Sequence, residues 1–190
     1  MVKSRPTFFG RNHSYEIYNQ FGYPVGSVQE AGRQVLVPAL MNDAHNQPKH
    51  YFQIFDAQRN LQLVVGRLFR VGTAEVIVMN PQGYEIGRIS GATFPQQAQL
   101  NLTFTVSGQP VALMQGTGGL EWNFIIYDAH GTAIAHMNKG HAGGYVFGRG
   151  AADIFTVQKY YALPEPLRSL ILATPFVMDP PSRRPRHGAR

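Results

Sequence analysis

Glu75-Val-Ile-Val-Met-Asn80-Pro-Gln-Gly83-Tyr-Glu-Ile-Gly-Arg-Ile89 holds two apolar runs joined by a turn signal. An Asn or Asp side chain caps such a turn, and a glycine accepts positive φ, so the stretch predicts a β-hairpin. The same order recurs around Gly22 (Tyr15 to Val28), Asn60 (Phe52 to Val65), Gly108 (Leu102 to Leu113, shortened) and Gly131 (Trp122 to Met137). From Asn60 the turn positions fall at 60, 83, 108 and 131, intervals of 23, 25 and 23. The first interval, Gly22 to Asn60, is 38, with the excess in the polar stretch Asn42 to His50. Five hairpins in series predict an antiparallel meander with one enlarged loop.

Strand character is clearest where Leu100, Leu102, Phe104 and Val106 alternate with Asn101, Thr103 and Thr105. Such alternation buries one face and wets the other. Val76 to Met79 is apolar on both faces, which predicts a sheet packed on one side and partly covered on the other. Counted from Tyr15, about twelve candidate strands end with Asp153-Ile-Phe-Thr-Val-Gln-Lys-Tyr160. That number predicts a mainly β, antiparallel closed barrel, because closure removes unpaired edges.

One helix interrupts the pattern. Leu167-Arg-Ser-Leu-Ile-Leu-Ala-Thr-Pro-Phe-Val-Met178 follows Pro164-Glu-Pro166 and is stopped by Pro180 and Pro181. Prolines are tolerated at a helix start, and Glu165 suits its dipole. Apolar nearly all round, this helix must be enclosed, with Leu167, Leu170, Ile171, Leu172, Phe176 and Val177 as its core residues. A twelve-stranded barrel has a hole that strand side chains alone do not fill, and the helix fits it. Pro175 is expected to kink the helix or begin a separate final segment.

The chain has 190 residues, a formal charge of +6 and no cysteine. That length suits one domain with a real core. The missing cysteine excludes disulfides, thiol catalysis, Cys-ligated zinc and palmitoylation. Residues 1–11 carry Lys3, Arg5 and Arg11 with no acid, and residues 180–190 carry Arg183, Arg184, Arg186 and Arg190 with no acid. The remaining body, 12–179, has a charge of −1. The organisation expected is a basic N-terminal tail over 1–11, one barrel domain over 12–179, and a basic, Pro/Arg-rich tail over 180–190. No signal-peptide pattern opens the chain, and no apolar run approaches the roughly 20 residues of a bilayer span. A cytoplasmic protein, peripheral to a membrane at most, is the expectation.

Asp/Asn-x-x-Gly hairpins in series, the strand Asp153-Ile-Phe-Thr-Val157, the helix Leu167-Arg-Ser-Leu-Ile-Leu-Ala173 and the closing Val177-Met-Asp179 resemble the phospholipid scramblase and LURP-one-related families. The resemblance spans roughly residues 12 to 179. Both families belong to the tubby C-terminal-like superfamily, so it implies a twelve-stranded barrel around a central C-terminal hydrophobic helix. It also implies binding of anionic phospholipid or phosphoinositide and, for eukaryotic scramblases, calcium-dependent lipid movement. The chain departs from the scramblase pattern in three respects. It lacks a Cys cluster, a long Pro-rich N-terminal extension and an acid-rich calcium loop. Calcium coordination needs several converging carboxylate oxygens, so calcium-activated scrambling is not expected.

Catalytic motifs are missing: there is no Gly-x-Ser-x-Gly elbow, Walker loop or His-Glu-x-x-His. Gly140 to Gly150 is Gly-rich but precedes no helix, and reads as a turn between strands. Asp128, His130 and His136 flank one hairpin and are the candidates for a metal site, against the plainer reading of exposed turn histidines. His45 and His50 fall in the polar loop and are expected to be solvated, and Trp122 to pack in the barrel or against the helix. The expected function is therefore non-enzymatic and without cofactor. The candidate lipid contacts are Lys3, Arg5, Arg11, Arg183, Arg184, Arg186 and Arg190. The alternative is a structural or interaction module whose basic tails hold a protein or nucleic acid. The scattered basic residues of the body speak against nucleic acid.

Overall fold

The computed structural model describes residues 2–5, 14–31, 50–70, 73–92, 99–117, 122–142 and 152–178. The elements are β1 (Val2–Arg5), β2 (Ser14–Tyr18), β3 (Pro24–Ala31), β4 (His50–Asp56), β5 (Leu61–Arg70), β6 (Thr73–Met79) and β7 (Glu85–Ala92). They continue with β8 (Gln99–Val106), β9 (Gln109–Thr117), β10 (Trp122–Asp128), β11 (Ala133–Ala142), β12 (Ala152–Lys159) and α1 (Leu167–Met178). From β2 to β12 each strand pairs antiparallel with the next, forming one antiparallel sheet.

Four of the five hairpin turns are built alike. Asn19, Asp56, Asn80 and Asp128 each accept, at the backbone carbonyl, the N–H three residues on. Each also accepts, at the side-chain oxygen, the backbone N–H four residues on. The residue three after the cap is in the left-handed region: Gly22 at φ 82°, Gly83 at 87° and Gly131 at 80°. In the second hairpin that position is Arg59, at φ 66°, and not Asn60 as the sequence spacing suggests. Asn60 instead donates to the Asp56 carboxylate. The fifth turn is the two-residue Ser107-Gly108, both at positive φ, between Val106 and Gln109.

Residues of one sheet face and the helix form a single core. Val28, Ile54, Val65, Val78, Ile89, Phe104, Met114, Phe124, Met137 and Phe155 from successive strands belong to the same cluster as Leu170, Ile171, Phe176 and Val177. The expected alternation of β8 holds, with Leu102 and Phe104 fully buried and Asn101 exposed. Val76 and Val78 join this core, while Ile77 and Met79 join a second cluster with Tyr51, Val64 and Leu68 on the other face. Burial there raises the pKa of the Tyr51 hydroxyl. The two-faced apolar run of β6 thus serves two cores.

The helix packs on β5, β6, β7 and β12. Residues 169–171 and 173–178 are buried, and Leu167 and Leu172 pack partly buried against the same core. Phe176 stacks on Phe52 with ring centroids 5.1 Å apart and meets Tyr15 edge-on at 5.6 Å. The Ser169 backbone N–H donates to the Glu165 carboxylate at 3.2 Å, the role expected of an acid at a helix start. The helix runs from Leu167 through Pro175 to Met178, so no separate segment begins at the proline. Burial of Phe176 and Val177 on the sheet offsets the hydrogen bond that proline removes.

The start of the chain also corrects the sequence reading. Val2–Arg5 is not a free tail but the strand β1, paired with β2 at four positions and with β12 at Val2 and Lys3. Four residues without apolar alternation carry no local strand signal. The unpaired backbone edges of β2 and β12 supply the pairing.

Candidate functional site

Topology places the hairpin turns of β2–β3, β4–β5, β6–β7, β8–β9 and β10–β11 at one end of the sheet. Lys159 pairs with Ala135 and Tyr160 donates its N–H to Ile134, so the end of β12 lies there too. Among the described residues, every large exposed apolar or aromatic side chain belongs to this end: Phe21, Tyr23, Val25, Tyr84, Tyr160 and Tyr161. Phe21 is 74% exposed, Tyr84 69% and Tyr23 68%, values far from those of a packed aromatic. The turns hold these rings outward, since Asn19 and Asn80 fasten the backbone beneath Phe21, Tyr23 and Tyr84.

The charges of the same end are arranged unevenly. Asp56 and Asp128 point back into their own turns, Asp56 accepting from Asn60 and Gln62, and Asp128 from the His130 and Thr132 amides. Glu85 is held by a bidentate pair with Arg88 at 2.8 and 2.9 Å, and Arg88 also reaches Glu75. Those contacts, that with Glu85 first, hold the Arg88 guanidinium above its ordinary pKa. Arg59 and Lys159 are exposed and make no ion pair among the described residues.

The residues singled out from sequence fare differently. Lys3 and Arg5 lie in β1, opposite Glu16 and Ser14 in the β2 register. Arg11, Arg183, Arg184, Arg186 and Arg190 lie outside the described residues, as does His45. His136 pairs across the strands with Ile125, not with His130, and its ring contacts the Asn123 side chain. No group of three metal-ligating side chains occurs among the described residues. His50 departs from its expected solvated loop: it begins β4, with Nδ1 2.6 Å from Glu30. Trp122 packs edge-on to Phe124, and the Lys139 ammonium sits 5.3 Å from the Trp122 ring and 5.2 Å from that of Phe155.

An open groove of about 640 Å³ lies along β8–β10, lined by Thr103, Gln115 and Tyr127 among others. Its one acid, Asp128, is committed to its own turn, so the groove lacks the converging polar groups of a ligand pocket. Phe21, Tyr23 and Tyr84 carry no apolar pattern of their own because each sits in or beside a polar turn, and Tyr160 and Tyr161 follow the last strand. Only the recurrence of Tyr just after the turn glycine, at Tyr23 and Tyr84, was available as a signal. No family model, curated protein or solved structure matches the chain.

Proposed function

We propose that the protein is a non-enzymatic module that binds a membrane surface carrying anionic phospholipid. It is built, like the scramblase and LURP-one-related domains it resembles, as a closed barrel around its C-terminal helix. What supports closure is β1, whose residues pair with the strands at both ends of the β2–β12 sheet. The reading is carried by the charge distribution: the chain's excess of +6 falls on its two ends, while residues 12–179 sum to −1. At about 1 kcal/mol per basic residue near an anionic surface, four arginines supply roughly 4 kcal/mol before ordering costs. That is transient attachment, not anchorage. Among the described residues no helix is long and apolar enough to cross a membrane.

Flotation with phosphatidylserine-containing vesicles and with phosphatidylcholine vesicles tests the reading. Binding to the former that weakens with salt is expected. No binding to either, or steep salt-dependent binding to DNA but not to vesicles, would overturn it in favour of the interaction module.

A further inference from the structure

The hairpin-turn end of the sheet brings together three kinds of observation: outward aromatics, acids engaged in hydrogen bonds or ion pairs, and cations without an ion pair among the described residues. We propose that this rim is the surface that meets the lipid, with Phe21, Tyr23, Tyr84, Tyr160 and Tyr161 entering the headgroup layer and Arg59 and Lys159 contacting phosphates. The proposal rests on the membrane-binding reading above and specifies its docking surface.

The chemistry of the rim selects this partner. Phe and Tyr at protruding tips present rings with an apolar body, and in Tyr a polar end, the combination that settles at a membrane–water interface. The aromatics are carried by separate elements, the β2–β3 turn, the β6–β7 turn and the end of β12. A fluid interface accepts such discrete tips, whereas a rigid partner would need one continuous complementary face. Two exposed cations of this end are also available to an anionic surface. The acids of this end are occupied by their own turns, by Arg88 or, for Glu165, by the Ser169 amide, while Arg59 and Lys159 face outward.

Arg59 adds an independent sign. It occupies, at φ 66°, the left-handed position that glycine fills in three sister turns. Backbone strain retained at a single exposed cation points to a use for that cation.

The rim lies opposite the points where the described chain gives way to the basic segments. Arg5 pairs with Ser14 at the far end of β2. The helix runs from Leu170 beside Gly87, near the turns, to Phe176 against Tyr15 and Phe52.

The full-length protein, its Phe21→Ser/Tyr84→Ser variant, its Arg59→Ser/Lys159→Ser variant and a deletion of residues 180–190 are compared by flotation. Phosphatidylserine/phosphatidylcholine vesicles and phosphatidylcholine vesicles are used in parallel. The aromatic variant is expected to lose at least about tenfold in affinity for the phosphatidylserine-containing vesicles at every salt concentration, with an unchanged denaturation midpoint. The cation variant should lose about fivefold per residue, the equivalent of about 1 kcal/mol each, on the anionic vesicles only. The added fluorescence of Tyr84→Trp should be quenched by brominated lipid, and that of Trp122, at the other end, should not. If the wild type binds no vesicle, the membrane reading itself fails. If the wild type binds, the deletion abolishes binding and the rim variants bind normally, the function stands and the rim proposal is overturned. Rim variants that change the oligomeric state but not vesicle binding would likewise overturn it in favour of a protein contact.

Discussion

Arg59 donates its backbone N–H to the Asp56 carbonyl at 3.1 Å while holding a φ of 66°. The Asp56 carboxylate fastens the same turn by accepting from the Asn60 backbone at 2.8 Å, the Asn60 side chain at 3.0 Å and Gln62 at 2.9 Å. One residue thus supplies the hydrogen bonds that let the other keep an unfavourable conformation.

Arg59→Gly should therefore stabilise the protein by about 1 kcal/mol, since a left-handed conformation costs an L-residue roughly 1–2 kcal/mol. Urea unfolding measures the gain. The same variant should bind anionic vesicles less well, so stability and binding are expected to move in opposite directions.

The Asp56 carboxyl is held below its ordinary pKa, first by the Asn60 side-chain hydrogen bond and then by the backbone amides and Gln62, against the opposing effect of burial. A carboxyl depressed in the folded state contributes stability that is present above its unfolded pKa and lost as pH falls through the folded value. The β4–β5 hairpin should keep its order to about pH 4 and loosen below it. The Asn60 amide shift, followed by NMR, should titrate with a midpoint below that of an unfolded peptide. In Asp56→Asn that titration should vanish.

Phe176→Ala should cost about 3–5 kcal/mol, because the ring is 2% exposed, stacked on Phe52 and edge-on to Tyr15. Phe176→Leu, which retains most of the volume, should cost clearly less. Chemical denaturation of both variants checks the order.

Gly87→Ala should destabilise by about 1–3 kcal/mol. A Cβ at Gly87 would run into the Thr105 backbone carbonyl and lie 3.2 Å from Leu170, so neither strand nor helix can withdraw freely. A thermal midpoint equal to that of the wild type would show that both β8 and the helix can shift away from Gly87.

Much of the fold was legible in short stretches. The capped turns at Asn80 and Asp128, the alternation of β8, the two-faced run of β6 and the apolar helix each record a local requirement within a few residues. Three features were not. Arg59 sits where no propensity would place an arginine, and only the neighbouring turn contacts reveal it. β1 forms because two strand edges need partners, not because Val2–Arg5 favours a strand. His50 looks like a loop residue until Glu30, on the neighbouring strand, is brought beside it.

The candidate rim shows the same division. By itself the sequence determined which residues turn, which face inward and that the basic excess belongs to the chain's ends, since these follow from side-chain chemistry and spacing along the backbone. Only the tertiary structure decided that Phe21, Tyr84 and Tyr160, far apart in the chain, share one end of the sheet. It also decided that the acids around them are engaged in hydrogen bonds or ion pairs, while Arg59 and Lys159 make no ion pair among the described residues. The physical reason is that a strand's direction and neighbours are set by pairing across the whole sheet, so the company kept by an exposed turn residue is a property of topology rather than of its own sequence.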